Sequence, residues 1–283
     1  MELSADEIQC AVRAALAEDI GPGDVTTLAT VPESAMASAE MVAREPLVLA
    51  GLACAEVAFS ELDRALHMVP HAEDGESCAT GQVLLQVTGP ARAILMAERV
   101  ALNFVQRLSG VATLTAQFVA LVQGTRTKIL DTRKTTPGWR RLEKYAVQCG
   151  GGTNHRVGLF DLVLIKDNHL AALRHESPNA IAAAVQRART AYPSLQVEVE
   201  ADTLEQVRQA VEASADIILL DNMSLADLRA AVALVGGRAQ TEASGGVNLQ
   251  TVRAIAGTGV DFISVGALTH SARAVDIALD FES

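Results

Sequence analysis

No stretch of the chain reaches the ~18 consecutive apolar residues that a membrane-crossing helix needs, so no membrane association is expected. The opening residues, Met1 to Glu7, have neither a basic segment nor an apolar leader, and no secretory signal is expected. Cysteine is sparse: Cys10, Cys54, Cys78 and Cys149 lie far apart, with no Cys-x-x-Cys pair. That spacing indicates neither a disulfide framework nor a zinc knuckle, and it fits a reducing cytoplasm. The 20 glycines and 8 prolines are ordinary for 283 residues, which excludes collagen-like and low-complexity chains. Positive charge is also short, 23 Lys and Arg against 34 Asp and Glu, a formal net charge of -11. A surface so acidic argues against nucleic acid and anionic membranes as partners. The length suffices for one large domain or two ordinary ones, each with its own core.

The scarce positive charge is concentrated. Residues 125–166 hold nine bases (Arg126, Lys128, Arg133, Lys134, Arg140, Arg141, Lys144, Arg156, Lys166) and only three acids, Asp131, Glu143 and Asp161. A basic island in an acidic chain suits a small polyanionic ligand better than a long polymer. Charge alone weighs a solvated surface stripe about equally.

Local patterns divide the chain in two. Ser4 and Glu7 form a capping box ahead of the helical face Ile8, Val12, Ala15 and Leu16. A turn-rich loop is expected over 18–27. Strands follow near 35–43, 47–49, 66–70 and 83–87, with a helix near 52–62. Pro90 stands where a helix can start, and 91–107 has helical periodicity. Ser109-Gly110 predicts a break before a second helix over 113–122. From about Thr127, short apolar strands (128–131, 162–165, 196–200, 217–220, 240–243, 262–265) alternate with helices near 139–149, 178–191, 203–213, 224–235 and 249–256. Such alternation predicts a parallel sheet. The span is short for eight βα units, so an incomplete barrel of six or seven strands is expected.

Polar residues gather at the carboxyl ends of these strands: Arg133 and Lys134, Lys166 to His169, Glu200, Asp221 and Asn222, Glu242 and Ser244, and Gly266. Ligands bind at that end of parallel α/β barrels. One polar strand end is commonly a helix cap, whereas six in succession favour a shared site. Ser244-Gly245-Gly246 and Gly266-Ala267, with His270 close behind, offer exposed N–H groups suited to a phosphate. Gly150-Gly151-Gly152 leads into His155-Arg156; arginine grips carboxylates bidentately, and lysine offers a mobile charge for phosphate. The residues alone point to a shared site for a small polyanionic ligand, and a Schiff-base aldolase using Lys166 and a non-catalytic phosphoribosyl or metabolite sensor stay open as alternatives.

Motifs in order along nearly the whole chain resemble the quinolinate phosphoribosyltransferases of NAD biosynthesis. They include Gly23 to Thr27, Gln106 to Thr113, Asp131 to Gly138, Lys144 to Ala146, and Gly150 to Gly158. Leu164 to His169, Val197 to Glu200, Leu220 to Met223, Glu242 to Gly246 and Ser264 to Ser271 complete the set. The resemblance implies an N-terminal α/β sandwich domain (1–110, joined by the tail 271–283) and a C-terminal incomplete α/β barrel (111–270). It implies quinolinate and phosphoribosyl pyrophosphate as substrates, Mg²⁺ and no organic cofactor. It also implies a cytoplasmic homodimer in which Arg107 enters the partner's site. Quinolinate would meet Arg107, Thr132, Arg133, Lys134, His155, Arg156 and Lys166. Lys134, Lys166, Glu200 and Asp221 would be catalytic, the last two binding metal directly or through water. Ser244, Gly245, Gly246, Gly266 and His270 would hold the 5-phosphate. A related family associated with molybdenum transport shares the fold and part of Asp131–Lys134. The full Asn154 to Arg156 and Ile165 to His169 patterns point to the transferases. Trp139 departs from the resemblance, standing where a smaller aliphatic residue is expected.

Overall fold

The computed structural model describes residues 2–282. In chain order the elements begin α1 (Ala5–Ile20), α2 (Val25–Thr30), β1 (Met36–Ala43), β2 (Leu47–Val48), α3 (Leu52–Leu62), β3 (His67–Pro70), β4 (Ser77–Cys78) and β5 (Val83–Pro90). Next come α4 (Ala91–Val122), β6 (Lys128–Leu130), α5 (Arg140–Cys149), β7 (Val163–Ile165), α6 (Asp167–Ala172), α7 (Ala180–Ala191) and β8 (Val197–Ala201). The chain ends through α8 (Leu204–Glu212), β9 (Ile217–Asp221), α9 (Leu225–Val235), β10 (Gln240–Ser244), α10 (Val252–Ala256), β11 (Phe262–Ser264), α11 (Ala267–His270) and β12 (Ile277–Phe281).

Two compact units result. The first takes the chain up to Ala116, then Thr135–Gly151, then everything from Leu268 onward. Its main sheet has the antiparallel order β12-β1-β5-β3, and β2 pairs with β4. The Ser4–Glu7 capping box is formed at the start of α1. Part of the expected loop over 18–27 is instead helix. Asp24 accepts from the amides of Thr26 and Thr27 at 3.0 Å each and so nucleates α2.

The expected break at Ser109-Gly110 does not occur, and α4 runs unbroken through both residues. Ser109 is buried and its hydroxyl bridges the N–H and C=O of Ala50, so its polar group is satisfied inside the helix. Gly110 serves close approach: a Cβ there would lie 2.0 Å from the carbonyl oxygen of Arg273. By length and composition, among the described residues only α4 could cross a membrane, and half of its most apolar window is buried within the protein.

Residues 135–151, read from sequence as part of the barrel stretch, pack in the first unit. The Tyr145 hydroxyl donates to Asp74 at 2.8 Å, and Gly150 lies so close to Ala112 that a Cβ would meet its carbonyl oxygen at 2.3 Å. Trp139 stacks on Phe104, ring centroids 4.7 Å apart, which gives the large side chain an aromatic partner.

The second unit is Gln117–Lys134 with Gly152–Ala267. Its six parallel strands run β6-β11-β10-β9-β8-β7, with β6 and β7 as the two edges. The barrel is therefore six-stranded and incomplete. Each strand lies within a residue or two of its expected place, because short apolar runs bounded by caps are unambiguous in a βα repeat. Glu198 and Glu200 share one face of β8, while Val197, Val199 and Ala201 share the other. Register puts Glu200 beside Leu219, Leu219 beside Glu242, and Asp221 beside Ser244. One sheet face thus carries Glu198, Glu200, Asp221 and Glu242 together with Ile217 and Leu219, and α7 to α10 pack against the strands.

Gly110→Ala is expected to lower stability by about 1–3 kcal/mol, the usual cost of overpacking. Denaturant unfolding checks this; unchanged stability would show that residue 273 can move away.

Candidate active site

The carboxyl end of the parallel sheet is organised by Asp131, which follows β6 and is fully buried. One carboxylate oxygen accepts from the Asn154 amide at 2.7 Å, the other from the backbone N–H of His155 at 2.8 Å. Thr153 adds ladder bonds, donating to Ile129 at 2.8 Å and accepting from Asp131 N–H at 3.2 Å. Residues 153–155 are thereby tied along the edge strand β6. The Thr132 hydroxyl accepts from Lys134 N–H at 3.1 Å and shapes the turn that presents Arg133 and Lys134.

His155 reaches the carboxylate face. Its Nε2 lies 3.0 Å from Glu198 and 3.4 Å from Glu242, both glutamates being buried. Burial works against a charge on the ring, but Glu198, which accepts from the ring, and the nearby Glu242 together outweigh it and push the imidazole up to about 10. Burial and the nearby Glu242 push Glu198 upward, against the pull of His155. Their ligand atoms lie within 4.8 Å of one another.

Arg156 is half-buried and donates to the Leu162 carbonyl at 3.3 Å. Burial, and then the neighbouring Arg133 guanidinium, lower its affinity for the proton. Two guanidiniums brought together at the cost of mutual repulsion make a site that an anion stabilises.

Beyond β7, Lys166 pairs with Glu200 at 2.8 Å. An ammonium held in an ion pair is not the free amine that a Schiff base requires. Oxygens of Glu200, Asp202 and Asp221 lie within 4.8 Å of one another, a hard all-oxygen set of the kind Mg²⁺ uses. Asp221 also accepts from the Asn222 amide at 2.8 Å.

After β10, Gly245 (φ +98°) and Gly246 (φ +62°) both take left-handed backbone. A Cβ on Gly245 would sit 2.1 Å from the Asn222 side-chain oxygen, so the absence of a side chain there lets the β9 and β10 loops close together. Asn248 accepts from the amides of Gln250 and Thr251 and closes the turn before α10.

The second unit therefore brings together Thr132, Arg133, Lys134, His155, Arg156, Lys166, Glu200, Asp221, Ser244, Gly245, Gly246 and Gly266 on the loops and strand ends of one sheet. Arg107 and His270 belong to the first unit. The Arg107 guanidinium donates there to buried Glu143 at 2.8 Å and to the carbonyls of Thr269 and Ala272. His270 is exposed and its Nδ1 meets the Ser271 hydroxyl at 2.6 Å. Sequence reading passed over Glu198, Asp202 and the clamping role of Asp131. The alternating Val197-Glu198-Val199-Glu200 was the available signal for Glu198.

A parallel α/β barrel with cationic and carboxylate groups at its strand ends defines an enzyme of anionic small molecules. The comparisons make this particular. Residues 24–109 match the N-terminal domain and residues 111–280 the C-terminal domain described as quinolinate phosphoribosyl transferase. The chain is 45% identical to the probable nicotinate-nucleotide pyrophosphorylase [carboxylating] of Bacillus subtilis (strain 168), covering 93% of this chain and 89% of that one. It is 46% identical to the corresponding protein of Mycobacterium leprae (strain TN), over 97% of each. The solved nicotinate-nucleotide pyrophosphorylase of Francisella tularensis superposes with TM-score 0.93 at 41% identity, covering 99% of this chain and 98% of that one. The chain belongs to the quinolinate phosphoribosyltransferase family.

His155→Asn is expected to cost about 3–5 kcal/mol near pH 6, because it leaves buried carboxylates without their cation. The folded-state imidazole titrates near 10 and the unfolded one near ~6.5. Its stabilisation is therefore complete below about 6.5 and lost as pH rises toward 10. Denaturant unfolding across that range should show the wild-type advantage shrinking; a constant gap would contradict the assignment.

Proposed function

We propose that the chain transfers the phosphoribosyl group of phosphoribosyl pyrophosphate to the ring nitrogen of quinolinate with loss of CO₂, the activity of its family in NAD biosynthesis. Nicotinate mononucleotide and pyrophosphate are the other products. The observation that carries the residue-level reading is that the cationic side chains Arg133, His155 and Arg156 and the grouped carboxylates Glu200 and Asp221 all stand on loops and strand ends of the one parallel sheet.

Arg133, Arg156 and His155 hold the two ring carboxylates, with Thr132 shaping the turn beside them. Lys134 and Lys166 neutralise the pyrophosphate and the nearer ring carboxylate. Ser244, Gly245, Gly246 and Gly266 receive the 5-phosphate, where exposed N–H groups and missing side chains allow close approach. As the pyridine nitrogen attacks the anomeric carbon, the bond to pyrophosphate breaks and positive charge develops on the ribose. Glu200 and Asp221 lie where that charge is stabilised. The new N–C bond leaves the ring nitrogen quaternary. The bond to the 2-carboxylate then breaks, CO₂ leaves, and the electron pair remains beside N⁺ until it takes a proton. The reaction needs no organic cofactor. Glu200, Asp221 and the adjacent Asp202 suit Mg²⁺, which when bound supplies charge neutralisation for the departing pyrophosphate.

The assembly inferred is a homodimer in which Arg107 completes the partner's quinolinate pocket, a reciprocal arrangement that twofold symmetry permits. Three acceptors hold the guanidinium within its own subunit, so it would reach a partner already oriented. Four free cysteines and the net charge of -11 support a cytoplasmic enzyme of small molecules, with no nucleic-acid or membrane partner.

Purified protein with quinolinate, phosphoribosyl pyrophosphate and Mg²⁺ should form nicotinate mononucleotide and CO₂, followed by mass. Nicotinic acid should be a poor substitute, because a monoacid leaves cationic donors unpaired. Equal turnover of the two acids would sink the assignment.

Co-expressed Arg107→Ala and Lys134→Ala chains test the shared pocket. With Arg107 acting in trans, each mixed dimer has one intact and one doubly damaged site, so random pairing restores about a quarter of wild-type sites. Confirmed mixed dimers with no recovery above the single variants would place Arg107 in its own subunit's site.

A further inference from the structure

We propose that Glu198 and Glu242 are positioning residues for quinolinate recognition: together they fix the His155 ring and keep it cationic, so that the site demands a dianionic acceptor. The inference rests on the assignment of His155 to quinolinate.

Three observations carry it. First, both carboxylates contact the same ring nitrogen, at 3.0 and 3.4 Å, so the ring is held between two strands, β8 and β10. Second, both glutamates are buried, and neither Glu198 Oε1 nor Glu242 Oε2 has a hydrogen-bond partner, so Glu242 acts on the ring through charge at 3.4 Å. A carboxylate in that position is costly for packing alone, and an aliphatic side chain would fill the same space at less cost. Third, the backbone of His155 is anchored separately, by its N–H to Asp131. The ring contacts are therefore not needed to hold this segment on β6.

The charged groups facing the ring can be named. Glu198 comes from β8 and Glu242 from β10. Asp131, beyond β6, holds the backbone N–H, while Arg156 is the next residue and acts on Glu198. The two glutamates outweigh burial and hold the imidazolium through the neutral range. A glutamine at either position keeps the shape and an acceptor but removes a carboxylate that favours the protonated ring, so the proton leaves the ring at lower pH.

The test is steady-state kinetics with each substrate varied in turn, for wild type, Glu198→Gln, Glu242→Gln and His155→Asn, from about pH 6 to pH 9. Wild type should show a quinolinate KM that is flat with pH. Each glutamine variant should show a quinolinate KM that rises on the order of tenfold toward the alkaline end, as a charge-assisted contact becomes neutral. Its phosphoribosyl pyrophosphate KM should stay close to wild type. A merely structural role would reduce active protein and leave both KM values and their pH dependence unchanged, which overturns the proposal while His155 keeps its assignment. A normal quinolinate KM in His155→Asn removes the assignment and the proposal together. Should the glutamine variants fail to fold, ring nitrogen shifts of ¹⁵N-histidine-labelled wild type decide. An imidazolium signature for His155 near pH 8 supports the proposal, and a neutral ring overturns it.

Discussion

The parallel sheet of the second unit carries carboxylate side chains on a face where such sheets ordinarily carry aliphatic ones. The geometry around that face follows from how those charges are answered. Asp131 is answered by an amide and a backbone N–H, and in being answered it draws Asn154 and His155 onto the sheet edge. Glu198 and Glu242 are answered by the ring so delivered. Glu200, a layer nearer the mouth than Glu198, is answered by Lys166 from the next strand end. Removal of one member leaves a buried charge exposed to low dielectric, which costs more than the contact itself contributes. Arg133 and Arg156 are like charges held close, and burial and then the Arg133 guanidinium make Arg156 less ready to carry its charge.

The first unit repeats the principle with different residues. Glu143 is buried, and it accepts from Arg107, from the Thr136 N–H at 3.0 Å and from the Thr136 hydroxyl at 2.8 Å. The carboxylate thus connects the long helix α4 to the turn ahead of α5. Trp139 on the same turn lies flat on Phe104 of α4. The residue that departs from the resemblance is therefore accommodated by an aromatic partner one helix away. Asp74 performs a similar service, accepting from Gly51 N–H, Leu52 N–H and the Tyr145 hydroxyl.

Much of this was legible in the sequence. The βα rhythm and the polar residues closing each strand located the sheet and the end at which its polar side chains gather, because apolar runs and caps are local signals. The depth of Glu198 was not legible, since alternation on β8 shows which residues share a face but not which lies beneath the other. Ser109-Gly110 misled for a related reason. Local propensity reads the pair as a break, and only the long-range approach of Arg273 shows why glycine stays within a helix. Residues 135–151 likewise lie inside the barrel stretch in sequence while their partners Asp74, Arg107 and Ala112 lie far upstream.

The pairing of β12 with β1 carries a consequence for biosynthesis. The first unit's sheet has β12 along one edge, and the whole second unit is translated between these two strands. During synthesis the outer edge of β1 therefore stays open, with unpaired N–H and C=O groups available to any extended chain, until the second unit has been made. A ribosome making this protein leaves its first-formed sheet unfinished longest, and that interval is when the nascent chain is most exposed to mispairing and most in need of a chaperone.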